Sequence, residues 1–514
     1  MMGILRTILF AATGLAATGA AFAQQTDSAS LFRTQREHAS PVAALAATAY
    51  ATPALRSEAF AGSLSEISVG YEMRREEKAL EQQKGDGGDF GRFSAGSYKH
   101  ISGKGTVWGD AGYLRGAKRN VVWNASSDYD LVFPYVVADS IGGDLTSEEY
   151  TFGGGYGHRS GRYTWALEAG ARALHEYRDS DPRIRNVAID IDAGAGASVR
   201  MGNYRLGLSA ALRVYKQSGS QIQYAHSAGE KGVYHLSGLG SHYAGFEGNA
   251  NSQTRYRGSG YGLTLALVPD AGRGGLHLAA GYEYLHIEKE LPGSADLVLQ
   301  KVVPRSFHAE AAWLGGSGNG LRWGVALKAR YDYRRGDEGI VDDNNSSQGS
   351  GTLGFLTLFE YSALQGRAEA VFNVEAAGHA WYVCPWGEYR RRTSDYLYPA
   401  QNMEFTRAGG GVDFRCVLQR RSLLLRLEAG GGYTAGLDSG LTLPVADLAA
   451  PLVRMVQYDY GRLRQDAATF RLGLRADYAL RRRMSLFLAA DYGGGLYGDN
   501  TAAHHARVAC GIAF

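Results

Sequence analysis

From about Ser63 onward, apolar and polar residues alternate along the chain in segments of roughly 10 to 17 residues. Leu321, Trp323, Val325, Leu327, Ala329, Tyr331 and Tyr333 share one face of such a segment, with Arg322, Gly324, Ala326, Lys328, Arg330, Asp332 and Arg334 on the other. The same split separates Tyr163, Trp165, Leu167, Ala169, Ala171 and Ala173 from Thr164, Glu168 and Arg172, and Phe470, Leu472, Leu474, Ala476, Tyr478 and Leu480 from Arg471, Arg475 and Asp477. A period of two predicts β-strands with chemically different faces. Turn signals fall near Ser102-Gly103, Ser160-Gly161, Gly202-Asn203, Asp270-Ala271-Gly272, Gly316-Ser317-Gly318, Gln365-Gly366, Gln419-Arg420 and Arg481-Arg482. Between consecutive turns lies a strand pair with a longer connection, the largest near 116–147 and 218–253. A soluble sandwich also alternates, but it does not sort its connections by length. The pattern predicts an all-β fold, a transmembrane antiparallel up-and-down β-barrel of about 18 strands, or 14 or 16 if hairpins merge. An even count puts both ends of the barrel in the periplasm.

Aromatic residues fit that geometry. Tyr331 and Tyr333 follow Trp323 on one face, and a rise of about 3.3 Å with a tilt near 40° spreads them over roughly 20 to 25 Å of membrane normal. Trp165 and Trp313 flank other short turns, as girdle residues do. If the apolar faces meet lipid, the opposite faces line a lumen. Its candidates are Glu168, Arg172, Asp190, Asp192, Lys328, Arg330, Asp332, Glu369, Glu375, Asp413, Arg415, Arg426, Glu428, Arg471, Arg475 and Asp477, with Arg205, Arg213, Glu283, Glu310, Asn373 and Asp491 beside them. Both signs are present, so neighbouring strands either salt-bridge into a rigid wall or form opposed ladders for a zwitterionic conduit; a single-sign ring would instead predict ion selectivity.

The N-terminus changes the compartment. Arg6, the apolar stretch Thr7 to Ala20, and Ala21-Phe22-Ala23 form the n-region, h-region and cleavage site of a signal peptide over 1–23. The organisation expected is therefore 1–23 signal peptide, 24–62 periplasmic N-terminal segment and 63–514 barrel. With 54 basic and 51 acidic residues and a net charge of +3, no nucleic-acid partner is expected. Cys384, Cys416 and Cys510 do not make the dense even set of a disulfide framework and read as isolated small apolar residues. The 70 Gly and 32 Tyr suit strands and turns rather than packed helices.

The final residues alternate Val508, Cys510, Ile512 and Phe514. Here the chain resembles the outer-membrane β-barrels of Gram-negative bacteria, whose last strand ends in an aromatic residue. The resemblance covers essentially the whole mature chain and implies that Phe514 is the signal read by the barrel assembly machinery, with outer-membrane lipid and lipopolysaccharide around the wall. In 24–62, a short Ala-rich helix is predicted over Val42 to Tyr50. Thr52-Pro53-Ala54 makes this segment similar to the N-terminal hatch of long-chain fatty-acid transporter barrels, with Thr52 where those carry Asn. A lumen hatch and a periplasmic leader are both consistent with the residues.

Chemistry-bearing motifs are sparse. There is no His-Glu-x-x-His, no Gly-x-Ser-x-Gly and no phosphate loop, so no enzyme, metal or cofactor is expected. The dinucleotide-like Gly430-Gly431-Gly432-Tyr433-Thr434-Ala435 has no helix after it. Outer-loop ligand candidates are Tyr224, Tyr234 and Tyr243 in 218–253, and Trp386, Arg390, Arg391, Arg392 and Tyr396 in 384–402, where basic residues beside aromatics suit lipopolysaccharide, a glycan or a partner protein. The function expected is an outer-membrane channel or diffusion-type transporter moving a small polar or amphipathic solute through the lumen. The alternative is a nonconducting barrel that serves a surface lipoprotein or secretion partner as a platform.

Overall fold

A computed structural model describes residues 29–219, 233–243, 253–270, 274–292, 297–316, 321–341, 352–376, 378–444, 450–481 and 483–514. The expected signal peptide lies outside them. The barrel strands are β1 Leu64–Glu76, β2 Gly87–His100, β3 Gly105–Val121, β4 Gly143–Ser160, β5 Tyr163–Tyr177, β6 Arg185–Met201, β7 Tyr204–Gly219, β8 Thr254–Pro269 and β9 Gly275–Leu291. They continue as β10 Leu297–Gly315, β11 Leu321–Val341, β12 Thr352–Ala376, β13 His379–Tyr396, β14 Gln401–Arg420, β15 Leu423–Thr442, β16 Ala467–Arg481, β17 Met484–Tyr497 and β18 Ala502–Ala513. Each strand pairs antiparallel with its chain neighbour, and β18 closes on β1 through pairs such as Ile67 with Ile512, giving one 18-stranded sheet without an edge. Ser65 and Phe514 exchange the last backbone hydrogen bonds, at 2.7 and 2.8 Å.

Because side chains alternate, one register assigns every wall residue to a face. Ile67, Leu167, Ile191, Leu212, Leu263, Leu327, Phe372, Phe414, Leu472 and Val508 form an exposed apolar outer face, with Leu212 at 67% and Leu327 at 65%. Trp165, Trp313 and Tyr331 are exposed on the same face. Such a surface is unsupportable in water and is what a barrel presents to hydrocarbon. The chain is an outer-membrane type β-barrel. No described helix is long and apolar enough to cross a membrane.

One expected turn is corrected. Gln365-Gly366 lies inside β12, opposite Arg330-Ala329 of β11, and the chain reverses instead at Gly378, whose φ of +79° is the left-handed conformation glycine tolerates. A polar Gln-Gly pair within the long strand β12 imitates a turn when only composition is read.

Both mouths of the barrel are filled. At the short-turn end, helix α1 Ala29–His38 and the turns through Ser63 pack on inward-facing side chains. Phe32 and Leu45 are buried against Ala312, Ala326, Val371, Tyr382, Val417 and Leu424, while Leu55 meets Ala266, Val268 and Ala279. At the long-loop end, the β3–β4 connection, the 233–243 segment and helix α2 Pro451–Leu463 bury Trp123, Val132, Tyr135, Leu236, Leu452, Met455 and Val456 against Tyr215, Tyr256, Ile287, Phe359, Tyr396 and Phe405 of the wall.

Candidate solute chamber in the lumen

The N-terminal segment is fastened around the whole circumference. Gln35 Nε2 donates to Asp477 at 3.1 Å and to Ser485 at 3.0 Å, Arg36 pairs with Glu375 at 3.2 Å, and Thr48 donates to Glu310 at 2.6 Å. Glu58 takes Arg159 and Arg205, each at 2.9 Å, and Tyr98 donates to the Ser57 carbonyl at 2.9 Å. These contacts reach β2, β4, β7, β10, β12, β16 and β17. The described part of the segment, 29–62, packs on inward-facing side chains of the wall.

The cap at the other end is held by charges of the wall and of the connections. Arg334 of β11 donates to the carbonyls of Phe133 and of Asp130, the latter at 2.8 Å. Asp128 accepts from Arg172 at 2.6 Å and from Tyr215 at 2.9 Å, and Lys84 bridges Glu81 at 2.7 Å and Asp130 at 2.8 Å. Helix α2 is tied down by Arg462 to Asp499 at 2.9 Å, by Tyr458 to the Ala79 carbonyl at 2.9 Å, and by Arg407 to the Gln465 carbonyl at 2.7 Å. Its Asp459 accepts from Gln83 Nε2 at 2.8 Å and from the Gln82 N–H at 3.2 Å. Asp459 is 8% exposed, and burial pushes its carboxyl up to about 7.

Between plug and cap lies a cavity of about 870 Å³, bounded by Arg56 on the plug side and Glu81, Tyr129 and Phe133 on the cap side. A second of about 530 Å³ shares Arg172, Asp190 and Arg213 with it. All the lumen candidates fall on the inner face by register: Glu168 and Arg172 on β5, Asp190 and Asp192 on β6, Lys328, Arg330 and Asp332 on β11, Glu369 and Glu375 on β12, Asp413 and Arg415 on β14, Arg426 and Glu428 on β15, and Arg471, Arg475 and Asp477 on β16. Most are paired: Asp190 with Arg213 at 2.6 Å, Asp332 with Arg330 at 2.9 Å, Glu369 with Lys328 at 3.0 Å, Asp413 with Arg471 at 2.9 Å, Glu428 with Arg415 at 3.0 Å and Asp477 with Arg475 at 2.9 Å. The chamber itself draws on those of β5, β6 and β11.

The outer-loop candidates of 384–402 are corrected. Trp386, Arg390, Arg391, Arg392 and Tyr396 belong to β13, and all but Arg391 point inward. The ladder between β12 and β13 lacks pairs at Cys384 and Pro385, consistent with proline having no donor, and that interruption imitated a loop. Arg390 pairs with Glu388 at 3.0 Å, and Arg392 with Glu81 at 3.7 Å. Trp386 carries the Arg367 guanidinium 4.6 Å from its ring centre, and outward Arg391 meets Glu404 at 3.6 Å. Tyr234 and Tyr243 sit in the folded-in cap, Tyr234 against Trp123 and His242, and Tyr243 donating to the Gly339 carbonyl at 2.9 Å. Tyr224 lies outside the described residues. Among the described residues, no three His, Cys, Asp or Glu side chains converge as a metal site, and Cys384, Cys416 and Cys510 are free.

Asp110, Trp108 and Tyr361 line the chamber without having been anticipated. In β3 the inward positions mix Trp108, Asp110, Gly112 and Leu114, so parity became readable only from pairing with β2 and β4.

No curated protein matches the chain. Among solved structures it is similar to the ferric preacinetobactin receptor BauA of Acinetobacter baumannii, at 8% identity over 88% of this chain and 79% of that one, with a TM-score of 0.37. The alcaligin outer-membrane receptor FauA of Bordetella pertussis gives 9% identity, 86% and 76% coverage and a TM-score of 0.35. The siderophore receptor PirA of Pseudomonas aeruginosa gives 9%, 88% and 80%, and 0.36. The model of a family of unknown function, DUF6850, matches residues 53–514, so the whole barrel and the end of the N-terminal segment are common to that family, and the chain belongs to it.

Proposed function

We propose that this barrel is a gated outer-membrane transporter, in which a small polar or amphipathic solute passes through the charged chamber when plug and cap yield. The observation that carries the reading is the chamber itself, a water-accessible space bounded at both mouths by segments fastened with hydrogen bonds and ion pairs rather than by continuous wall. Such contacts are individually worth about 0.5 to 3 kcal/mol, small enough for solute binding or thermal opening to exchange them. Short turns and both wall ends are assigned to the periplasm, and the inturned loops to the cell surface. Outer-membrane lipid and lipopolysaccharide cover the apolar face, and Phe514 at the end of β18 serves the barrel assembly machinery.

The test is uptake of labelled small polar solutes by proteoliposomes carrying the intact mature chain. Saturable flux above that of protein-free vesicles supports transport. Flux equal to protein-free vesicles, with folding verified by heat-modifiable gel mobility, overturns it in favour of a platform for a surface partner.

A further inference from the structure

The lumen wall is not uniformly neutral. Asp190, Asp332, Glu369, Asp413, Glu428 and Asp477 each hold a cation within 3.0 Å. On the chamber wall from β3 to β9 Asp190 keeps that pattern, but four other acids break it. Glu168 and Glu283 have their nearest cations at 3.8 and 4.0 Å, and Asp110 and Asp192 form no ion pair among the described residues. The last two occupy one cross-strand row, in which Asp110 of β3 faces Gly153 of β4, Gly153 faces Gly170 of β5, and Gly170 faces Asp192 of β6. A Cβ at Gly153 would lie 3.0 Å from Asp110 Oδ1, and one at Gly170 2.6 Å from Asp192 Oδ1, so both carboxylates lean over the glycines toward each other. Cross-strand Cβ positions lie about 5 Å apart, which brings the two anions within reach of one bound molecule. Bare, they repel.

Beside them stands a donor. Trp108 precedes Asp110 by two residues on the same inward face, is 5% exposed, and lines the same cavity, with its indole N–H toward the Glu168 carboxylate. Arg56, which closes the chamber on the plug side, lies 5.7 Å from the Trp108 ring centre. Tyr129, Phe133 and Tyr361 supply apolar surface opposite. Among the described residues no three His, Cys, Asp or Glu side chains converge as a metal site, and the aromatic surface beside the two carboxylates suits an organic cation.

We propose that the chamber binds a small hydroxylated organic cation, its ammonium taken by Asp110 and Asp192 and its hydroxyls by the Arg56 guanidinium. This rests on the reading of the chamber as the solute path and names the class of solute. Amino sugars are the simplest probes, because glucosamine, N-acetylglucosamine and glucose share a ring and differ at one group.

The experiment is calorimetric titration of each probe into the intact mature protein in detergent at about pH 6. Glucosamine is expected to bind about tenfold or more tightly than the other two, with the difference shrinking as salt rises. Asp110→Asn and Asp192→Asn should each remove most of that preference, while Asp89→Asn on the outer face should leave it unchanged. Both substitutions relieve repulsion, so folding, followed by gel mobility, is expected to persist. Equal affinities for glucosamine and N-acetylglucosamine, no binding of glucosamine, or an Asp110→Asn/Asp192→Asn double variant with full preference would each overturn the inference. Amine-selective binding without flux would instead sink the transport reading and leave the site standing.

Discussion

Asp459 makes the cap sensitive to pH in a direction that follows from its burial. It lies on α2 against the β1–β2 connection, facing Gln82 and Gln83, with Glu81 and Arg392 as the nearest charges. Glu81 is already shared between Lys84 and Arg392, so ionised Asp459 is left with neutral donors. Its carboxyl is raised from an ordinary 3.8 to about 7. A raised acid favours the protonated form when docked, so the docking free energy it contributes is complete below about pH 4 and is lost as pH rises through 7. Between about pH 5 and pH 8 the loss is about 2–3 kcal/mol, roughly a hundredfold in the equilibrium between docked and undocked α2. Asp459→Asn removes the titration. Its amide can still accept from the Gln82 N–H and, once Gln83 rotates, can donate to Gln83 Oε1, which is now without a partner. The assay is hydrogen exchange of the α2 amides, corrected for intrinsic rates. Protection of the wild type should fall with rising pH while that of Asp459→Asn stays level. A level wild type, or a variant that keeps the slope, refutes the reasoning.

Three further outcomes follow. Arg334→Ala removes two charge-assisted donations to the β3–β4 connection, about 2 kcal/mol, and should raise the frequency of channel openings; unchanged gating would show that Arg334 does not hold the cap. Asp139→Ala strands Arg178 in a pair that is 0% exposed on both sides with a 3.3 Å contact. It should cost about 3–5 kcal/mol, read as a lower unfolding temperature, whereas an unaltered temperature would mean that water reaches the guanidinium. Phe32→Ala empties a fully buried position of the plug at about 3–5 kcal/mol. It should expose residues 29–62 to protease while gel mobility still reports a folded barrel; a protected segment would refute the packing.

The wall was legible because lipid imposes one rule on every strand. Leu321 to Tyr333 and Phe470 to Leu480 must turn apolar atoms outward, so parity alone assigned Lys328, Arg330, Arg471 and Asp477 to the inside. Where the rule lapses, the reading failed. Gln365-Gly366 and Trp386 to Tyr396 lie where small, proline or charged residues interrupt the alternation, and only pairing with β11 and β14 restored their strands. The cap was illegible for another reason. Trp123, Tyr135 and Met455 are apolar residues in long connections, and their burial depends on meeting Tyr215, Phe359 and Phe405 from strands far away in sequence. Asp110 combined both difficulties, since its isolation is visible only when Gly153 and Gly170 are known to stand beside it.

Single-channel conductance tests the central claim, that plug and cap together close an 18-stranded lumen. Four forms of the mature protein would be compared in planar bilayers: intact, beginning at Gly62, lacking 450–465, and lacking both segments. The account predicts rare or no openings in the intact protein, intermediate behaviour in the single deletions, and a steady large conductance in the double deletion. A steady large conductance in the intact protein would contradict it.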